Sequence, residues 1–404
     1  MLDFTPFALR PDAELSPAWL RWLGDALRGA EGAAELAPPP DDPGTVLTAL
    51  ATHGLAPLLY LSMRDRKRGQ GWPPAALAAL ADAFQTNAVR SYMMETELAR
   101  ISAALAEIGT PVALLKGAAT GGTVYGSPAA RLVNDLDLLV PAADVEEARA
   151  AVAALGYAAH GPLGSGRFGR WQRRYRCELQ MVCTHPDRRG LLVELHWSLV
   201  ELPYYVEIIP MAEVWSTTHP VGALPGASIP DAATLLLHSC AHVSLHHSRA
   251  LRLIWLVDVD RLARSKALNW DALIERSERW GLGLAASATL RTTAAWLGTP
   301  LPAEVMARLS EQADDPALEA MWGLGDEVPG GARRRARVTW TAFSGRQRLR
   351  YGAWMASRAL ARPIEAARLA ASRAAANVQG RPPPVEPCNE PNPLPGHRRP
   401  HLRH

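Results

Sequence analysis

From about Pro17 to Gly109 apolar residues recur at spacings of three and four, as in WLRWLGDALRGA and in the Ala-rich run from PPAALAAL through METELARISAALAEIG, with Gly and Pro between segments. This pattern predicts a helical lead-in over residues 1–109. At Thr110 the pattern changes. TPVALLKG is a short apolar run closed by glycine and fits a strand, the small and Gly-rich GAATGGTVYG reads as a glycine turn leading into a short helix, and NDLDLLVP fits a second strand closed by Pro141. ADVEEARAAVAALGY then predicts a helix, with Asp144 as N-cap, Glu147 three residues on and Gly156 as the stop. RCELQMVC and LLVELHWSL alternate as strands do and are joined by the turn THPDRRG. Residues 110–215 therefore read as a mixed α/β unit. Helical patterning returns in DAATLLLHSCAHVSLHH, SRALRLIWLVDVDRLA and NWDALIERSERWGL, predicting a helical domain over 216–330. Arg-rich amphipathic helices are expected over 331–380 and a disordered Pro-rich tail over 381–404.

One strand carries an electrostatic problem. Side chains alternate faces along a strand, so Asp135 and Asp137 in RLVNDLDLLVP must lie close together on one face. Two like charges in a partly buried place are costly unless water or a cation reaches them. Either that edge is open or it holds metal. The same alternation in LLVELHWSL puts Glu194, His196 and Ser198 on one face, which supplies a third acid. Mg²⁺ takes one or two protein carboxylates and fills its octahedron with water and phosphate oxygens. A pair of ions roughly 4 Å apart needs bridging carboxylates. Asp135, Asp137 and Glu194 form such a set.

Composition sharpens one further residue. Of 43 basic residues only Lys67, Lys116 and Lys266 are lysines, so a lysine is an unusual choice here. Lys116 ends the first strand, immediately before Gly117, with Gly121 and Gly122 nearby. A glycine turn lets backbone N–H groups approach a phosphate, and a helix N-terminus favours the anion. Arg131 lies an even number of positions before both aspartates and shares their face if the strand extends that far.

The remaining features are weaker signals. A net charge of +3 does not by itself indicate a nucleic-acid binder. The N-terminal residues lack the pattern of a secretion signal, and no apolar stretch is long enough to cross a bilayer, so a soluble cytoplasmic protein is expected. Cys177, Cys183, Cys240 and Cys388 show neither metal spacing nor a disulfide framework and read as mostly buried thiols in a reducing compartment. His238, His242 and His246 follow one another at spacings of four and could bind zinc, although no glutamate is adjacent as in a metalloprotease helix. Packing beside the sheet, with His242 near the cleft, is the favoured reading. Asp258 and Asp260 sit in a helical pattern where their side chains diverge, as a cap or ion pair. Tyr125 is expected to pack rather than to stack on a base. The Arg-rich C-terminal region reads as a solvated arm, or as a contact for nucleic acid or an anionic membrane surface.

The order L-K-G, then R-x-x-x-D-x-D, then E-x-H-W, followed by the LLLHSCAH and IWLVDVDRLA helices, resembles the uncharacterised nucleotidyltransferase-like proteins of the polymerase beta superfamily, from the helical lead-in to about Gly298. The resemblance implies an α+β protein: a small mixed-sheet nucleotidyltransferase core flanked by N- and C-terminal helical regions. It implies two Mg²⁺ ions, with Mn²⁺ as a substitute, a nucleoside triphosphate donor, and transfer of the monophosphate to an acceptor with release of pyrophosphate. The acceptor could be a small molecule, a peptide, a protein or RNA. Asp135, Asp137 and Glu194 become the catalytic and metal-binding acids, and Lys116, Gly117 and Arg131 the grip on the triphosphate. The superfamily's usual glycine-serine pair is here Lys116-Gly117-Ala118, which leaves that grip to the lysine and the backbone. The alternative from another class is a catalytically inactive nucleotide-sensing or scaffold protein that binds RNA, membrane or a biosynthetic partner through its basic C-terminal arm.

Overall fold

Four helices open the chain: α1 (Pro17–Leu27), α2 (Pro43–Thr52), α3 (Ala56–Asp65) and the long α4 (Pro74–Glu107). In this computed structural model, residues 6–27, 43–65, 72–160, 170–171, 173–222, 224–313, 322 and 331–356 are described. The chain then alternates through β1 (Val112–Leu114), α5 (Lys116–Thr123), β2 (Asp135–Leu139), α6 (Val145–Ala154), β3 (Tyr157–His160), β4 (Glu178–Cys183) and β5 (Leu192–His196). Two short helices, α7 (Pro203–Ile208) and α8 (Met211–Ser216), lead to β6 (Thr218–Pro220) and β7 (Ala227–Pro230). Helices α9 (Ala232–Ala241), α10 (Leu253–Ala263), α11 (Trp270–Arg279), α12 (Gly283–Leu297), α13 (Ala303–Ala313), α14 (Gly331–Ala342) and α15 (345–356) follow.

The strands form one mixed sheet in the order β3-β4-β5-β2-β1-β7-β6. β2 is central, parallel to β5 and antiparallel to β1, and β4 pairs antiparallel with β5 through the expected turn. Alternation divides the sheet chemically. Leu136, Leu138, Val193, Leu195, Leu179 and Met181 are all buried in one hydrophobic core, while the alternate positions 135, 137, 178, 180, 194 and 196 carry acids, a glutamine and a histidine. α+β describes the architecture, with helices before and after a mixed sheet.

The two larger cores among the described residues do not follow a simple division along the chain. Met94, Leu98, Ile101 and Leu105 of α4 pack into the sheet's core together with Val145, Ala148 and Val152 of α6. Ala76 and Leu80, at the other end of α4, join α1, α2 and α3 in a second core that also takes Leu253, Ile254 and Val257 of α10 and Trp296 of α12. At 34 residues α4 is about 50 Å long, enough to serve both. The indole Nε1 of Trp296 donates to Leu20 O at 2.8 Å, and a Cβ at Gly24 would lie 2.8 Å from Trp296 O, so glycine there is what permits the approach of α1 to α12.

Several local expectations change. The short helix expected after the glycine turn is present as α5, but it starts at Lys116 itself, so that Gly117, Gly121 and Gly122 lie inside it. Asp144 precedes α6 but makes no side-chain cap: its ψ of 2° is not the extended conformation from which a carboxylate reaches the N2 or N3 amide. Gly156 does end that helix, at φ +94°. The Arg-rich region is not simply a solvated arm over its described part. Phe343, Tyr351 and Trp354 are buried against Tyr175, with the Tyr351 and Trp354 rings stacked at 5.5 Å. The rest of that region and the expected tail lie outside the described residues. Among the described residues no single helix is long and apolar enough to cross a membrane.

Candidate active site

Register places the polar face. Asp137 is the partner of Glu194 across the parallel β2–β5 pair; across the antiparallel β4–β5 pair Gln180 faces Glu194 and Glu178 faces His196. Leu114 is opposite Leu138, and the Leu115 amide donates to Asp137 O at 3.0 Å, so the next residue, Lys116, comes alongside Asp137. Lys116 has φ +43°, a left-handed conformation uncommon for a residue with a Cβ. Its Nζ lies 2.6 Å from Asp137 Oδ1 and 3.5 Å from Glu194 Oε2. His196 Nε2 lies 3.0 Å from Asp137 Oδ1, and because a carboxylate only accepts, that nitrogen carries the hydrogen. Gln180 Nε2 donates to Glu194 Oε1 at 2.9 Å. Asp137 Oδ2 is buried and finds no hydrogen-bond partner among the described residues.

Carboxyls outnumber the bases on this face. Asp135, Asp137, Glu178 and Glu194 are set against the Lys116 ammonium and the His196 imidazole. Burial, reinforced by Asp137 and Glu194, pushes Asp135 up to about 7 despite Lys116 and Arg131. Burial and Glu194 push Glu178 up to about 8. Burial alone would raise Glu194 as well, but Lys116 and His196 outweigh it and hold that carboxyl well below the usual range. Burial also opposes the charges of Lys116 and His196. The acids prevail at both, holding Lys116 well above its ordinary value and His196 up at about 10. A face with this surplus of buried carboxylate is suited to take up cations.

Beside it runs a wall of imidazoles. α9 continues into a π-helical turn, His242–His246, which breaks the simple spacing of four. Burial and the nearby Lys116 ammonium keep His238 and His242 well below the ordinary histidine value and His247 at about 3, so all three are neutral. His242 packs edge-on to Trp255, with ring centroids 4.9 Å apart. Among the described residues, the groups of three metal-capable side chains are Asp137, Glu194 and His196, and Cys177, Glu178 and His196; neither includes His238, His242 or His246. The histidine helix packs beside the sheet.

Arg131 sits elsewhere than on the aspartates' face. β2 begins only at Asp135, and the Arg131 guanidinium binds Asp258 of α10, with Nη2 2.6 Å from Oδ2 and Nε 3.3 Å from Oδ1. Tyr125 OH donates to the same carboxylate at 2.7 Å, which gives Tyr125 a packing role. A Cβ at Gly117 would lie 3.2 Å from Arg131 Nη1, so the glycine lets α5 lie against the Arg131–Asp258 pair. Asp260 is likewise engaged, by Arg264 at 2.7 Å and by the Thr299 hydroxyl at 2.6 Å.

A family model described as an uncharacterised nucleotidyltransferase matches residues 39–298. The chain belongs to that family. The matched part of this nucleotidyltransferase contains the whole sheet, Lys116, Asp135, Asp137 and Glu194, and helices from α2 to α12. The crystal structure of JHP933 from Helicobacter pylori is similar at 14% identity, covering 56% of this chain and 90% of that one, with a TM-score of 0.29. No curated protein matches the chain.

In this nucleotidyltransferase the oxygen donors of Asp137 and Glu194, with Asp135 at the start of the same strand, suit a hard divalent cation, and the unpartnered Asp137 Oδ2 is free to take one. Lys116 and His196 both approach Asp137 through the other oxygen, Oδ1. Sequence patterning passed over Glu178 and Gln180. Both were visible in RCELQMVC as the polar positions of an alternating strand joined to β5 by a short turn, and that alternation places them on the face of Glu194 and His196.

Proposed function

We propose that the protein transfers a nucleoside monophosphate from a nucleoside triphosphate to an acceptor hydroxyl or similar group, releasing pyrophosphate. Asp135, Asp137 and Glu194 would hold Mg²⁺, with Mn²⁺ as a substitute. The ion supplies neutralisation of the phosphates and activation of the attacking oxygen when bound. The observation that carries this reading is the pairing of Asp137 with Glu194 on adjacent parallel strands, with Asp137 Oδ2 buried and unpartnered beneath a lysine at the start of a helix. His196 donates to Asp137 and orients it. Gln180 does the same for Glu194. Lys116, beside the first amides of α5, holds the negative charge of the leaving phosphates, since those amides have no partner within the helix. Arg131 supports Gly117 and the start of α5 while its own charge is balanced by Asp258. Catalysis of this kind is positioning and charge neutralisation.

The test incubates the purified protein with each labelled nucleoside triphosphate, Mg²⁺ and cell extract, scoring label transfer and pyrophosphate. Wild type is expected to label an acceptor and Asp137→Ala to label none. Equal labelling by the two, or none by wild type, ends the reading. A second reading, a catalytically idle nucleotide sensor, draws on one observation: the Lys116 ammonium already sits on Asp137. It predicts nucleotide binding that persists without a divalent ion and is unchanged in Asp137→Ala.

A further inference from the structure

The polar face of the sheet has a second cluster, of which the nucleotidyltransferase reading uses only the Nε2 side of His196. Cys177 lies immediately before β4, next to Glu178, which faces His196 across the β4–β5 ladder. Cys177 Sγ is 3.8 Å from Glu178 Oε2, His196 Nδ1 is 3.5 Å from the same oxygen, and the three donor atoms all lie within 4.8 Å of one another. A tetrahedral ion with bonds of about 2.0–2.3 Å sets its ligand atoms about 3.3–3.8 Å apart, so this spacing needs little rearrangement. The decisive atom is His196 Nδ1. The ring is 2% exposed, and this nitrogen has no hydrogen-bond partner among the described residues although a carboxylate oxygen lies 3.5 Å away. Its other nitrogen donates to Asp137, which is the carboxylate–histidine arrangement that aims the opposite nitrogen at a metal.

We infer that Cys177, Glu178 and His196 Nδ1 form a second metal site, for a thiophilic divalent cation such as Zn²⁺, distinct from the oxygen donors assigned to Mg²⁺. A sulfur, nitrogen and oxygen donor set selects against Mg²⁺, which prefers oxygen alone. Three protein ligands leave the fourth position to water. Binding expels the thiol proton, and any proton on Nδ1, to solvent, and leaves two negative ligands around a dication. It also fixes His196 with its hydrogen on Nε2, toward Asp137, so the ion would steady the neighbouring carboxylate without touching the nucleotide.

The experiment strips the full-length protein with chelator and titrates it with Co²⁺, a coloured stand-in for zinc. Wild type is expected to bind one thiolate-ligated ion per chain, with thiolate-to-cobalt charge-transfer absorption that Zn²⁺ abolishes and excess Mg²⁺ does not. Cys177→Ser should lose that absorption and bind at least tenfold more weakly, with its far-ultraviolet circular dichroism unchanged. If that variant fails to fold, Glu178→Gln decides: tenfold weaker binding with the thiolate absorption still reachable at saturation supports the site, and unchanged affinity overturns it. No Co²⁺ uptake by wild type, uptake without the sulfur absorption, or a Cys177→Ser variant that binds as wild type does also overturns it. The readout is the bound ion itself, so the result is independent of whether nucleotide transfer is found.

Discussion

The chain contains the pattern D-x-D twice, and its two copies have opposite fates. In β2 a period of two brings Asp135 and Asp137 to one face, with Glu178, Glu194, the Lys116 ammonium and the His196 imidazole, and one oxygen of Asp137 has no hydrogen-bond partner among the described residues. In α10 a period of 3.6 sends Asp258 and Asp260 to different neighbours, and each is saturated: Asp258 by Arg131 and Tyr125, Asp260 by Arg264 and Thr299. The same three letters thus make an electrostatic deficit in a strand and a brace in a helix. A buried, fully paired acid holds structure together. A buried, underpaired one stores a demand for a cation.

That contrast can be broken at each aspartate. The largest effect is expected at Asp137: the alanine variant should lose at least about 10³-fold in nucleotide transfer with little change in its urea midpoint, as for a preorganised charge removed from a reaction centre. Asp258→Ala should behave in the opposite sense. It leaves the buried Arg131 charge unpaired and should cost about 3–5 kcal/mol of stability in urea denaturation. If Asp137→Ala were the less stable of the two, the distinction would collapse. Lys116→Met sharpens it further, since removing the ammonium from Asp137 should tighten Mn²⁺ binding in the absence of nucleotide while lowering transfer about 10²-fold. A titration showing weaker Mn²⁺ binding in that variant would contradict a carboxylate face short of positive charge.

Titration of His53 extends the comparison to a buried imidazole away from the site. Its Nε2 hydrogen goes to Ala13 O at 2.7 Å, and Nδ1 accepts from the Leu253 amide at 3.3 Å, so the ring must be neutral to tie α2 to both segments. Burial depresses its pKa to about 4. The folded state therefore binds this proton less readily than the unfolded chain. The stability it confers is complete above about pH 6.5 and is lost as pH falls from there toward 4, about 2 kcal/mol by pH 5 from this group alone. His238, His242 and His247 act in the same direction and His196, whose value is raised, in the opposite one, so the measurement is the difference in slope between wild type and His53→Gln over that window. The smallest effect is expected at Asp260→Asn, about 1 kcal/mol, because its partner Arg264 is more than a third exposed and can turn to water.

What could be read in advance depended on how local the determining contact was. The carboxylate pair, the rare lysine and the third acid follow from strand alternation and from a short turn, and all of that information lies within a few residues. Arg131 could not be placed that way, because its partner Asp258 lies 127 positions further along on another helix. How early the helix in the glycine-rich segment begins could not be read for a related reason. Its weak intrinsic helix propensity is overridden by packing against β2 and against Arg131, a contact that glycine's lack of a side chain makes possible. The C-terminal region drew attention for its arginines, yet its described helices are fastened by Phe343, Tyr351 and Trp354, three large apolar residues among many charges. The sharing of one core between the first helices and α10 and α12 was invisible for the same reason as Arg131: periodicity names the apolar face of a helix but not the distant helix that covers it.

One arginine on the long α4 gives that shared core a practical meaning. Arg90 Nε donates to Val133 O at 2.8 Å and its Nη2 to Asn134 O at 3.0 Å, the two carbonyls directly ahead of Asp135. The point at which the acidic strand begins is therefore pegged by a helix that precedes the sheet entirely. A chain trimmed to start at residue 110 would retain every acid of the site and still lack the peg that holds the first of them. The smallest working version of this protein includes its helical beginning, and a search for a minimal catalytic fragment should cut elsewhere.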